Sequence, residues 1–309
     1  MRLLLLLSIS TSALAPRVTP QAPPTAPLAL LLPASTRAAA MGNAGVAGRD
    51  DDVLFYNPAG LVNARGGFSA TLARYGNSAT LGAMTASFTG GPLSLGWGVQ
   101  VVNYSSRPGA PYPFVPGALS NRGSVTALSL VAAVGAGTTY KGFRIGAAGK
   151  YAEDRFANDT GILATTAAVH GVFVGDIGLA HNLWNGVAGI SVQNLGRNSV
   201  SGAARTDLPV QTSLGWTLIK QVGELDMGLA VQLTSRRGWI SPGGGVEVGY
   251  GWIEGYAVAL RAGAHRPETS AERPFGVGAS LNADRLALEY ALQFFDGGRA
   301  AHRMTFRWR

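Results

Sequence analysis

The sequence predicts an all-β fold: a transmembrane antiparallel up-and-down β-barrel of about fourteen strands, with an N-terminal hatch or plug segment. Three observations carry this expectation. From Gly67 to the C-terminus, large apolar residues alternate with small or polar ones at the period of two that marks strands. Charged residues make up only 14% of the 309 residues, against roughly 25% in soluble globular proteins, and glycine is abundant at 43. The connections between candidate strands alternate between tight and long, as in single-chain barrels with short turns on one membrane face and longer loops on the other. Composition alone also suits a Gly-rich soluble sandwich or propeller; the alternation of connection lengths does not.

The chain divides into three parts. Residues 1–40 read as an export signal and spacer. Met1-Arg2, the run Leu3–Leu7 and the A-x-A site Ala13-Leu14-Ala15 have the form of a secretory signal. A Pro-rich stretch follows, then a second apolar run at Leu28–Leu32 before Ala34 and Ala38–Ala40, so cleavage falls between Ala15 and Ala40. Neither run approaches the ~20 residues of a membrane-spanning helix. If the chain enters a membrane it does so as a closed barrel, since open sheet edges are not tolerated in hydrocarbon.

Residues 41–66 read as a hatch. They are rich in small residues, carry Asp50, Asp51 and Asp52, and close on Tyr56, Asn57, Pro58, Ala59 and Gly60. The acidic triplet either pairs with lumen arginines, caps a short helix or forms a solvated turn. Asn57 suits a hydrogen bond to local backbone, Pro58 fixes φ and Gly60 permits a turn before the first strand.

Residues 67–309 read as barrel. Strands are expected near 68–75, 80–88, 93–104, 125–138, 143–153, 172–182, 187–195, 210–219, 224–234, 244–252, 256–265, 275–281, 285–295 and 303–308. In the third, Leu93, Leu95, Trp97, Val99 and Val101 alternate with Ser94, Gly96, Gly98 and Gln100. The even count and the large residues on one face place that face against lipid. A turn centred on Glu254 puts Glu247 opposite Arg261 on the inward face, and a hairpin around Gly298 puts Glu289 near Arg307. Each such cross-strand pair stabilises by about 0.2–1 kcal/mol. The longest outer loop carries Tyr112 and Phe114, which offer an apolar patch to a ligand or partner.

Several functions are disfavoured. The net charge of +8 comes from scattered Lys and Arg, with no basic helix or RNA-binding aromatic motif, so no nucleic-acid partner is expected. There are no cysteines, and the four histidines form no metal-binding pair. No G-x-S-x-G elbow or phosphate-cradling loop occurs. Neither an enzyme nor a cofactor is expected.

Asn43–Ala47, Asp50–Asp52 and Tyr56–Leu61 together resemble the FadL-like superfamily of outer-membrane barrels, and within it the PorV/PorQ family. Val192–Gly196, Leu208–Gly215, Leu260–Gly263, Phe275–Gly278 and Tyr290-Ala291 extend the resemblance over about residues 38–309. The chain departs from common barrel practice in ending on Arg309 after Trp308. The resemblance implies a fourteen-stranded barrel with a plugged lumen in a bacterial outer membrane. Its first functional implication is a secretion-associated component of type IX kind that handles secreted cargo. Its second is a transporter for long-chain fatty acids or other hydrophobic molecules. The expected partners are outer-membrane lipid and either a hydrophobic ligand or a secreted cargo protein.

Overall fold

The computed structural model describes residues 27–309 except 77–78, 106–123, 160–165, 198, 202–203 and 270. Tyr112 and Phe114 lie outside the described residues. Fourteen strands close a barrel: β1 (Gly67–Tyr75), β2 (Ala79–Gly90), β3 (Leu93–Asn103), β4 (Ser124–Tyr140), β5 (Phe143–Asp159), β6 (Thr166–Leu183), β7 (Gly186–Gly196), β10 (Gln211–Val222), β11 (Leu225–Arg236), β12 (Trp239–Ile253), β13 (Tyr256–His265), β14 (Glu272–Ala283), β15 (Leu286–Phe295) and β16 (Ala300–Trp308). The remaining pair, β8 (Ser199–Ser201) and β9 (Ala204–Thr206), forms a small hairpin of its own between β7 and β10. Every barrel strand runs antiparallel to its sequence neighbour, and β16 closes on β1 from Phe68↔Trp308 to Tyr75↔Ala301.

Several strands outrun the sequence expectation. β4, β5 and β6 span 17, 17 and 18 residues, so their ends project beyond the stretch that alternation marks. Alternation records a difference between lipid and lumen, and it fades where both faces meet water while backbone pairing continues. The expected moderate loop at 235–243 is instead a tight turn. Arg237 (φ 50°) and Gly238 (φ 81°) both adopt the left-handed backbone that two-residue hairpins use, and β12 starts directly after them. β8 and β9 carried no sequence signal, because three-residue strands are too short to show a period.

The outer face is apolar. In β3, Leu93, Leu95 and Trp97 point outward while Ser94, Gly96 and Gly98 are buried inside or face the interior. At the short-turn end Phe88, Tyr140, Phe143, Trp184, Trp252, Tyr256 and Trp308 are exposed and ring the barrel. Such a belt belongs at the boundary between hydrocarbon and headgroups.

The interior is filled by the chain's own N-terminal part. Residues 27–66 fold inside the wall through a 3-10 turn at Leu28–Leu30, a short helix α1 (Thr36–Ala40) and 3-10 turns at Asp51–Phe55 and Pro58–Asn63. Ser35 caps α1, accepting from the Ala38 amide. Among the described residues the packed segment runs from residue 27 to residue 66, on both sides of residue 41. Ala34 and Ala38–Ala40 satisfy a cleavage pattern because they are small, and the same smallness fits Ala39 and Ala40 against the wall at Gly276 and Gly278. Elsewhere the contact is tighter still. A side chain at Gly146 would strike the Pro58-Ala59 backbone, and one at Gly178 would overlap Asn57 Oδ1.

Candidate functional site

The interior has three levels, counted from the long-loop end. At the first, the wall of β1–β5 and β16 turns an apolar patch inward: Ala73, Tyr75, Leu81, Val102, Tyr104 and Val131. Leu28, Leu30 and Leu32 pack against it. The backbone between these leucines is held by two hydrogen bonds, Ala29 N to Ser129 Oγ at 2.8 Å and Gln100 Nε2 to Ala29 O at 3.0 Å. The sequence reading missed this patch, because it assigned every large apolar residue to the lipid side. The signal was present: Val101-Val102 breaks the alternation of β3, and Leu81 has the opposite parity to Met84 and Phe88 in β2.

The opposite side of this level is polar. Gln232 Oε1 accepts from the Gly45 and Val46 amides, both at 2.8 Å. Arg236 Nη2 meets Glu268 at 2.7 Å, and His265 Nε2 meets Glu272 at 2.8 Å. Between the two sides lies a cavity of about 90 Å³, bordered by Leu31, Tyr56, Gln232, Arg236 and His265. Small-molecule pockets hold roughly 300–1,000 Å³, so this cavity is smaller than a bound molecule needs.

At the middle level, Arg37 of α1 reaches the wall. Its Nε lies 3.1 Å from Glu247 Oε2, and Glu247 also pairs with Arg261. The register sets Glu247 opposite Arg261. Thr36 Oγ1 and Thr305 Oγ1 are 2.5 Å apart, and Thr305 bonds Thr71 in turn.

The third level lies toward the short-turn end. Arg307 pairs with both Asp51 and Asp52, and its Nη2 lies 3.2 Å from Glu289. The register pairs Glu289 with Thr305 and Arg307 with Ala287, so Glu289 meets Arg307 diagonally. The 3-10 turn Asp296–Gly298 moves the centre of that hairpin by one residue. Asp51 also accepts from Ser69 Oγ at 2.7 Å and from Thr85, and Asp50 pairs with Arg309 at 2.9 Å. Asp50 stands at the start of the 3-10 turn without a side-chain capping bond. Glu289 also lies 3.6 Å from Arg261, which joins the middle and lower levels.

In this network five carboxylates (Asp50, Asp51, Asp52, Glu247, Glu289) meet four guanidinium groups (Arg37, Arg261, Arg307, Arg309). The acids of the triplet are driven apart. Burial raises the Asp50 carboxyl, but Arg307, Arg37 and Arg309 outweigh it and hold the group below the usual range. Burial pushes Asp52 up to about 6, with Asp50 and Asp51 adding to the rise against the pull of Arg307. Beside them, burial pushes the Tyr56 hydroxyl up to about 12; it accepts from the Ala34 and Ser35 amides at 3.1 and 3.3 Å.

The turn at Asn57–Gly60 locks this level. Asn57 Nδ2 donates to Val46 O at 2.9 Å and to the wall carbonyl of Leu179 at 3.2 Å, while Oδ1 accepts from the Ala59 amide at 3.1 Å. Asn57, Pro58, Ala59 and Gly60 are all buried, and Val53 crowds the space where Gly60 would carry a side chain.

No family model matches the sequence, and no curated protein matches it. Solved structures do match. The toluene transporter TodX of Pseudomonas putida aligns with a TM-score of 0.58 at 12% identity, over 88% of this chain and 96% of TodX. The CymD monoaromatic hydrocarbon channel aligns at 0.63 and 10% identity, over 88% and 96% of the two chains. A FadL homologue of Pseudomonas aeruginosa aligns at 0.56 and 11% identity, over 93% and 98%. This chain has their fold. At such identities the likeness is one of architecture, over most of each chain. None of these matches shows the PorV/PorQ family.

Proposed function

We propose that this chain is an outer-membrane transporter for hydrophobic small molecules, and that residues 27–66 are its hatch. One observation carries the reading: the patch of large apolar side chains Leu81, Val102, Tyr104 and Val131 inside a lumen lined elsewhere mostly by small and polar ones, filled by three leucines of the chain itself. A polar lumen has no use for such a patch unless something apolar rests there. TodX and CymD are named for toluene and monoaromatic hydrocarbons, which supports the same substrate class. The apolar exterior and the belt of aromatic side chains support placement in a lipid bilayer. The likeness to hydrocarbon channels moves transport ahead of the secretion role that the motif resemblance put first. In this reading the leucines hold the site until a ligand displaces them, and the hatch shifts to let it pass.

The test is uptake. Cells that produce this chain in a porin-depleted outer membrane are expected to take up radiolabelled toluene or oleate faster than cells with the empty vector. Equal uptake of both compounds, with the folded barrel present in the membrane, would overturn the transport reading. Loss of surface-displayed proteins on deleting the gene, with normal uptake, would restore the secretion reading.

A further inference from the structure

The lipid-facing wall carries a feature that transport does not explain. Toward the long-loop end, strands β15, β16, β1 and β2 leave a groove of about 420 Å³ on the outer surface. Gly82 makes the depression, since nothing lies within 4 Å of where its side chain would stand. Leu72 and Met304 continue the row from it in register, Leu72 pairing with Gly82 on one side and with Met304 on the other. Both are strongly exposed. The row immediately above is polar: Arg74 pairs with Thr80 and with His302.

Arg74 faces outward and has no ion pair with a described residue. A cation facing lipid costs most at the bilayer midplane and little near the headgroups, so its position marks the headgroup level. His302 is oriented beside it, its Nδ1 lying 2.7 Å from the Tyr290 hydroxyl. With that hydroxyl donating to Nδ1, the ring keeps Nε2–H as a second donor. Two donors, one of them a forked guanidinium, thus stand in the row directly above the apolar surface of Leu72, Met304 and Gly82. Guanidinium recognises phosphate oxygens in pairs.

We propose that this groove binds one phosphate-bearing anionic lipid of the surrounding leaflet, its phosphate on Arg74 and His302 and an acyl chain over Gly82. The site rests only on the barrel standing in lipid and holds whether or not the lumen transports anything. An outward arginine with no ion pair among the described residues is complemented by lipid phosphate and not by hydrocarbon alone, and a net-anionic headgroup suits it better than a zwitterionic one, which brings its own cation.

The experiment is native mass spectrometry of the full chain in mild detergent, titrated with phosphatidylglycerol or with phosphatidylcholine of identical acyl chains. A single high-affinity adduct is expected, favouring phosphatidylglycerol about five-fold, the worth of one basic residue at an anionic surface. R74Q is expected to bring the two lipids to parity, and Gly82→Leu to lower retention of both. The heat-modifiable mobility of each variant reports that the barrel is folded. Equal retention by the unaltered protein, or an undiminished preference in R74Q, would overturn the proposal. So would displacement of the lipid by inorganic phosphate alone, which would assign the donors to a free anion.

Discussion

Replacing Arg307 with methionine is expected to release the lower part of the segment packed inside the barrel. The guanidinium is 1% exposed and holds Asp51, Asp52 and Glu289 together. Removing one partner of a buried ion pair costs about 3–5 kcal/mol, because the other charge is left without compensation. Here three carboxylates lose their partner at once, so part of the cost is relieved by protonation and part by expulsion of the segment. The wall itself keeps its backbone ladder, since Arg307 still pairs with Ala287 through the main chain. The expected result is therefore selective. Protease cleavage within residues 48–56 rises steeply, while the barrel keeps its heat-modifiable mobility. Adding D51N, D52N and E289Q to R307M is expected to restore most of the protection, since neutral partners need no counter-charge. Unchanged protease resistance in R307M alone would mean that the network holds nothing in place.

The second large effect is expected at the apolar patch. Leu28, Leu30 and Leu32 are half-buried against it, so each contributes roughly 1 kcal/mol of apolar burial, below the 1.5–3 kcal/mol of a fully buried leucine. Changing all three to serine is expected to vacate the patch. A hydrophobic fluorescent probe would then bind the detergent-solubilised protein about 100-fold more tightly, the equivalent of ~3 kcal/mol of competition removed. Unchanged probe affinity would show that the leucines do not compete with a ligand for the site.

The wall was legible in the sequence because lipid imposes a periodicity on each strand separately. β3, β11 and β15 can be read from their own residues, and the tight turns fix their partners. Glu247 and Arg261 are related by one such turn, so their register followed from counting. The Gly298 hairpin resisted the same counting, because a 3-10 turn took up one residue and made Glu289 and Arg307 diagonal neighbours. The interior was less legible. Whether Asp51 and Asp52 paired, capped or met water depended on Arg307, 256 and 255 residues away in the chain. The role of Leu28–Leu32 was hidden for a different reason. A short apolar run before small residues fits an export signal and an internal filler equally well, and only the inward face of β1–β5 distinguishes them.

The central claim is that the hatch must move for a hydrophobic molecule to pass. Thr36 and Thr305 test it most directly, since their hydroxyls lie 2.5 Å apart and join α1 to the wall. The chain has no cysteine of its own, so a T36C/T305C variant holds one possible disulfide, between positions close enough to form it. Toluene uptake by cells carrying this variant is expected to fall to the empty-vector level on oxidation and to return on reduction. Uptake that is equal in the oxidised and reduced states, with the cross-link shown to have formed, would contradict the account.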